Sequence, residues 1–408
     1  METRVGIIGA GASGMMAAIA AAEHGAKVTL LEHSDRIGKK ILVTGNGKCN
    51  LTNLNVSKDD YRGNHPCFVV PILEEFGIQD TLTFFEKKGL FWKEREGYVY
   101  PISGQASTVL DLLRYTLEQC KVHVVTECKI KNIQKKQDFL VQTESGNYSF
   151  DRLILATGGK AAPKTGSDGS GFLFAKTFGH TVIRPFPALV QLRCQETYFK
   201  SISGIRTDAV LTLSLNGKIH SIEEGELQIT DYGISGIPTF QLSRYAAEGL
   251  DKKLKVSVGI DLFPQFSGDR LLALLLERKM QCSGTTDLER FMTGMLNKKL
   301  NFFVLKQCGL LPSATISSLR EQDIQKITVF LKNWNVTITE TNSMDQAQIS
   351  AGGVDTLELK STLESKIVEG LYFAGEILDI DGRCGGYNLQ WAWSSGYVAG
   401  KHAACETI

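Results

Sequence analysis

The sequence carries no excess of charge of either sign. Its 45 basic and 44 acidic residues leave a net charge of +1, so no global field would draw it to nucleic acid or to an anionic membrane. It has nine cysteines but no Cys-x-x-Cys pair and no zinc-type spacing. That removes the dithiol of a disulfide reductase and a structural zinc site. An odd number of unpatterned thiols fits reduced cysteines in a cytoplasmic protein. The middle of the chain lacks a glycine fingerprint, so nothing there marks a separate nicotinamide-binding domain. The uncharged run Val5–Ala22, preceded by Arg4, imitates a signal peptide or a membrane span. Glycines at positions 6, 9, 11 and 14 break it and no cleavage site follows, so no membrane partner is expected.

What is present begins in that same run. Val5–Ile8 reads as a buried strand, and Gly9-Ala10-Gly11-Ala12-Ser13-Gly14 follows it, leading into an Ala-rich helix. A second strand, Lys27–Leu31, ends in Glu32, about 20 residues beyond the glycines, as in a dinucleotide-binding unit. Gly9 makes the tight turn, Gly11 lets backbone approach a pyrophosphate, and Gly14 removes a side chain where helix meets strand. Ala12 and Ser13 open the helix, whose free N–H groups and dipole favour an anion. Glu32 would accept hydrogen bonds from the adenosine ribose hydroxyls and repel a 2′-phosphate.

Next comes a loop crowded with turn formers, Thr44, Gly45, Asn46, Gly47, Asn50, Thr52 and Asn53, after Lys39 and Lys40, which suit phosphate. Read as Arg36-x-Gly38-Lys39-Lys40 and Thr44-Gly45-Asn46-Gly47-Lys48-Cys49-Asn50-x-Thr52-Asn53, this segment resembles the signature of the HI0933-like flavoproteins. These are FAD-dependent oxidoreductases of the BaiN or aminoacetone-oxidase type. The resemblance implies that positions near Asn50 and Asn53 lie against FAD and that backbone near Ile130 holds the adenine. It extends to Asp151–Gly159, where Ala156-Thr157-Gly158 would bring the chain back to the cofactor, and to Lys164–Gly171. Near the end, an apolar strand runs into Gly375-Glu376, and Gly385-Gly386-Tyr387-Asn388-Leu389 opens a helix through Ala404. Glu376 is placed for ribityl hydroxyls. The helix amino end, at Gly386, Asn388 and Leu389, is expected to face the flavin pyrimidine ring and favour its negative charge on reduction.

Between these segments the periodicity predicts helices over 69–76, 81–88 and 107–120. It predicts strands over 121–126 and 129–133, with a hairpin at 139–150. From about Arg184 the texture changes. Short strands are predicted at 211–215, 218–222, 227–229 and 255–262, then helices at 269–279, 286–296 and 322–332.

The expected architecture is α/β: a discontinuous Rossmann-like FAD-binding domain (1–187 and 349–408) carrying an inserted β-rich plus helical domain on the substrate side (188–348). FAD is the expected cofactor, NAD(P)H the expected co-substrate and a small molecule the expected partner, with no nucleic acid. The resemblance implies an ene-reductase that uses NAD(P)H to reduce a C=C bond conjugated to a carbonyl, as in 3-oxo bile acids. Two alternatives stand beside it: a flavin amine oxidase that makes peroxide, and a flavin-binding regulatory or RNA-modifying protein. No metal site is expected, and the sequence names no catalytic acid or base. Arg383, Cys384 and Tyr387 fall in the segment expected near the isoalloxazine, and Cys49 in the first loop.

Overall fold

The computed structural model describes residues 2–405. At its centre is a five-stranded sheet of Leu371–Phe373, Arg152–Leu155, Arg4–Ile8, Lys27–Leu31 and His123–Val125, in that order. Every pairing is parallel. Runs such as Val-Gly-Ile-Ile and Leu-Ile-Leu lack polar alternation because such a sheet is covered on both faces. Ile8 lies level with both Leu31 and Leu155. Gly9, Glu32 and Ala156 therefore emerge together at the carboxyl edge, where open parallel sheets bind ligands.

The helix Ala12–Glu23 is buried from Ser13 through Ala21. One side packs on the sheet and another on the C-terminal helix, Tyr387–Ala404. Gly396 and Gly400, one turn apart, make that crossing possible: a Cβ at either would overlap the carbonyl oxygen of Ser13 or Ala17. The two backbones therefore touch. This explains the membrane-like composition of Val5–Ala22, since a helix enclosed on all sides has no face left for charge. Among the described residues no helix is long and apolar enough to cross a membrane.

The chain forms two compact units. One runs to Phe186 and resumes at Gln348, and the other spans Pro187–Ala347. In the first, the helices Val69–Glu75, Ile78–Lys87 and Ala106–Gln119 lie near the predicted positions. A small antiparallel sheet of Thr52–Asn53, Tyr98–Pro101 and Trp92–Arg95 was not foreseen from the sequence.

The second unit is built on a closed six-stranded antiparallel barrel: Leu192–Cys194, Gly233–Ser235, Lys218–Ile229, Arg206–Leu215, Val256–Asp261 and Trp334–Thr341. The strands predicted at 218–222 and 227–229 are one strand. Its middle carries Glu224 and Glu226 outward, with Glu223 on the other face, so the hydrophobic pattern lapses while the ladder continues. The helix predicted at 286–296 also divides. Leu288–Met292 stops before Gly294, which has φ of 86°, and Lys298–Gln307 starts afresh with the Asn297 side chain accepting from the Lys299 N–H. A helix the sequence reading missed, Ile237–Asp251, begins with Pro238 in its first turn.

Candidate active site

The glycine loop assigns each glycine a different constraint. Gly9 has φ of 98°, and a Cβ there would lie 2.8 Å from the Thr157 Cα, so the Ala156-Thr157-Gly158 return presses directly on the turn. A Cβ at Gly14 would overlap the Gly9 carbonyl oxygen. A Cβ at Gly11 would meet nothing within 4 Å. The loop is thus closed toward the protein at two glycines and open at the third. No side chain caps the following helix. The N–H groups of Ala12 and Ser13 have no acceptor among the described residues. Ser13 turns its hydroxyl inward to donate to the Ala374 carbonyl at 3.3 Å. This is a cradle for an anion.

Glu32 is buried at the end of its strand. One carboxylate oxygen accepts from the Ala10 N–H and the other from the Ser34 N–H, both at 2.8 Å. Each oxygen keeps a second lone pair for a ligand hydroxyl. The Glu32 carbonyl accepts from the Cys128 N–H at 2.8 Å, which brings the start of the Ile130 strand alongside.

A second cluster joins Lys40, Glu376, Ser350 and Gly159. The Lys40 ammonium lies 2.6 Å from one oxygen of Glu376. The other oxygen accepts from the Ser350 N–H at 2.9 Å and its hydroxyl at 3.1 Å. The Ser350 hydroxyl accepts in turn from the Lys160 N–H at 3.0 Å. Gly159 has no room for a side chain, because a Cβ would sit 2.7 Å from the Glu376 carboxylate. Lys39, grouped with Lys40 by sequence, instead pairs with Asp35 one turn away. Gly158, with φ of 73°, packs against Ser167.

A third cluster knots the first loop to the C-terminal helix. With its amide oriented to satisfy both ends, Asn50 donates to the Thr52 and Val99 carbonyls and accepts from the Gly386 N–H at 3.3 Å. Asn53 donates to the Gly385 carbonyl at 3.1 Å. Gly386 has φ of 97°, and a Cβ would lie 2.5 Å from the Thr52 carbonyl carbon. Asn388 is spent on the chain itself: it accepts from the Gly382 N–H and donates to the carbonyls of Gly382 and Arg383. Leu389 is half-buried against the core. Thr44 donates to the Ile41 carbonyl, and Gly45, with φ of 55°, lies beside the Asn50 N–H.

All nine cysteines are unpaired with one another. Burial pushes the Cys49 thiol up to about 12. Burial likewise lifts Cys384 to about 11, despite the opposing pull of Arg383. Neither offers a thiolate near neutral pH. The sequence reading missed Ser350, although its place just before Gly352 and Gly353 marks a sharp bend.

An FAD is the group that the resemblance implies, and the residues present fit it: an open glycine cradle, an uncapped helix start and a buried carboxylate with lone pairs to spare. This fold and cradle define an FAD-dependent oxidoreductase. The chain matches the HI0933-like protein Rossmann domain over residues 3–402 and belongs to that family. It is 43% identical over 405 residues to a 3-dehydro-bile acid delta(4,6)-reductase of Clostridium scindens, covering 98% of this chain and 99% of that protein. It is 31% identical over 401 residues to a ribosomal RNA dihydrouridine synthase of Haemophilus influenzae, covering 96% of each. In overall fold it is similar to the crystal structure of a 3-ketosteroid delta1-dehydrogenase from Sterolibacterium denitrificans. The TM-score is 0.50 at 12% identity, with 98% of this chain and 99% of that one covered.

Proposed function

We propose that this protein uses reduced nicotinamide and FAD to reduce a C=C bond conjugated to a carbonyl in a small 3-oxo steroid-like substrate. The observation that carries this reading is the 43% identity, over nearly the full length of both chains, to a protein named for that kind of reduction. In the proposal, Gly9, Gly11, Ala12, Ser13 and Gly14 take the pyrophosphate, Glu32 the adenosine ribose and backbone at Ile130 the adenine. Thr157, Gly158, Lys40 and Glu376 serve the middle of the cofactor. Thr44, Gly45, Asn50, Asn53 and the Gly386–Leu389 helix start serve the flavin. Lys39, held by Asp35, has the weakest claim of the set. When bound, the flavin supplies two-electron hydride chemistry. The unit Pro187–Ala347 is assigned the substrate-side role.

A second reading has its own support. Reducing uracil to dihydrouracil saturates a C=C bond that is likewise conjugated to a carbonyl, so the RNA-directed relative is named for the same bond class on another substrate. Near-neutral net charge therefore weighs little against RNA. Purified protein under nitrogen, given NADH or NADPH, should oxidise the nicotinamide only when a 3-oxo-Δ4 steroid is added, and the product should gain two hydrogens by mass. Dihydrouridine formed in ribosomal RNA with the steroid untouched would select the second reading. Peroxide released from an amine in air, without nicotinamide, would select the oxidase.

A further inference from the structure

The strand Tyr98–Pro101 is the middle strand of the small sheet, paired with Thr52–Asn53 on one side and Trp92–Arg95 on the other. Its side chains alternate: Val99 is fully buried, while Tyr98 and Tyr100 are half-buried on the opposite face. Residues directly opposite one another in an antiparallel pair share a face. Asn53 stands opposite Tyr98, so the two tyrosines line the face that also carries a candidate flavin residue. Each ring lies against a glycine with positive φ in one of the two segments assigned to the flavin. A Cβ on Gly385 would overlap the Tyr98 Cε1 edge, and one on Gly45 would sit 3.5 Å from the Tyr100 Cε1.

Neither hydroxyl has a hydrogen-bond partner among the described residues. Tyr61, by contrast, donates its hydroxyl to the Tyr387 carbonyl at 3.1 Å. Burial raises both phenols above their ordinary range. For Tyr98, nearby Cys384 adds to this and Arg383 opposes it, and for Tyr100 the neighbouring Tyr98 adds and Arg95 opposes. Both are therefore protonated donors at neutral pH. A phenylalanine pair would fill the same space, so packing gives the hydroxyls no task.

We propose that Tyr98 and Tyr100 donate hydrogen bonds to the carbonyl oxygen of the substrate and hold the charge that oxygen gains as the conjugated bond is reduced. This rests on the reductase reading. Hydride added at the β-carbon, drawn from the reduced flavin, breaks the C=C π bond and moves an electron pair onto the oxygen. A proton from water then completes the α-carbon. Donors preset where that charge develops lower the barrier.

The test uses FAD-loaded protein and 4-nitrophenol, whose coloured phenolate mimics the charged oxygen. Wild type should bind the phenolate. Tyr98→Phe and Tyr100→Phe should each weaken that binding about 10- to 100-fold, the effect of losing one hydrogen bond to a charged group. FAD affinity and melting temperature should not change, since each ring remains. Equal phenolate affinity in the Y98F/Y100F double variant, no phenolate binding by wild type, or loss of FAD in the variants would each overturn the assignment. Enone turnover is scored separately. Wild-type turnover that the double variant retains in full overturns the tyrosine role and leaves the reductase reading intact. Tyrosine-dependent phenolate binding without turnover of any enone removes that reading while supporting the donor pair.

Discussion

The Lys40 ammonium and the Glu376 carboxylate meet at 2.6 Å although 336 positions separate them in the sequence. The pair ties the first loop to the return segment and leaves no net charge at a place assigned to an anionic cofactor. Both side chains are largely withdrawn from water, so removing one partner strands the other. Lys40→Met should weaken FAD binding about 10- to 100-fold, measured by quenching of flavin fluorescence on titrating apoprotein. Adding Glu376→Gln to Lys40→Met should cost less than the sum of the single changes, because the two groups couple. Strict additivity would mean that the contact has no bearing on the cofactor.

Gly11 and Gly14 should separate cofactor binding from folding. A methyl at Gly11 has open space, whereas one at Gly14 collides with the Gly9 carbonyl. Gly11→Ala should keep the melting temperature of the apoprotein and lose most of its FAD affinity. Gly14→Ala should lower the apoprotein melting temperature by several degrees, as expected for a loss of roughly 1–3 kcal/mol through overpacking. Full FAD affinity in Gly11→Ala would remove that glycine from the cradle.

Glu32 has a structural job and is proposed to have a second at the ribose, so its variants test both. Its carboxylate holds the Ala10 and Ser34 N–H groups from within the buried loop. Glu32→Ala should therefore reduce FAD affinity about 10- to 150-fold and also destabilise the apoprotein by about 1–3 kcal/mol. Glu32→Gln keeps one acceptor oxygen and should fall between. Calorimetry of the apoproteins together with FAD titration checks both effects, and an unchanged affinity in Glu32→Ala would detach it from the ribose.

Most of the first unit was legible because its elements announce themselves locally. The glycine loop, Glu32, the Ala-Thr-Gly return and Gly385-Gly386 each need a specific residue at a specific bend. What could not be read was long-range. Nothing in the string says that Lys40 meets Glu376, since that contact follows from which segments the sheet brings together at its edge. Nor does composition disclose barrel closure, because Lys218–Ile229 passes through an outward-facing acidic stretch where its periodicity fades. Tyr98 and Tyr100 were visible as alternation but too short a run to call a strand. Asn388 was read as a ligand residue by its place at a helix start, and nothing in the sequence marked that its amide also ties the helix to the loop before it.

His180 should give the protein an acid-sensitive stability. It is fully enclosed, with Nδ1 2.8 Å from the Glu358 carboxylate and Nε2 2.8 Å from the Ser365 hydroxyl. The carboxylate can only accept, which assigns the proton to Nδ1. The Ser365 oxygen already accepts from the Ile367 and Val368 N–H groups, so its hydroxyl proton points to Nε2. A second proton on the ring would leave two donors facing each other. Burial accordingly holds His180 below its ordinary 6.5, although Glu358 pulls the other way. The folded pKa is thus lower than the unfolded one, and the unfolded chain binds the extra proton first as pH falls. The stabilisation is complete above about pH 6.5 and is lost as pH drops through the folded value. Glu358, itself held below 4.5, contributes its own loss only at lower pH. Urea midpoints measured from pH 8 to pH 5 should fall for wild type. His180→Gln should start lower by about 1–3 kcal/mol, having lost a buried partner, and should vary less across that range. An equal slope in the variant would move the acid sensitivity to another group.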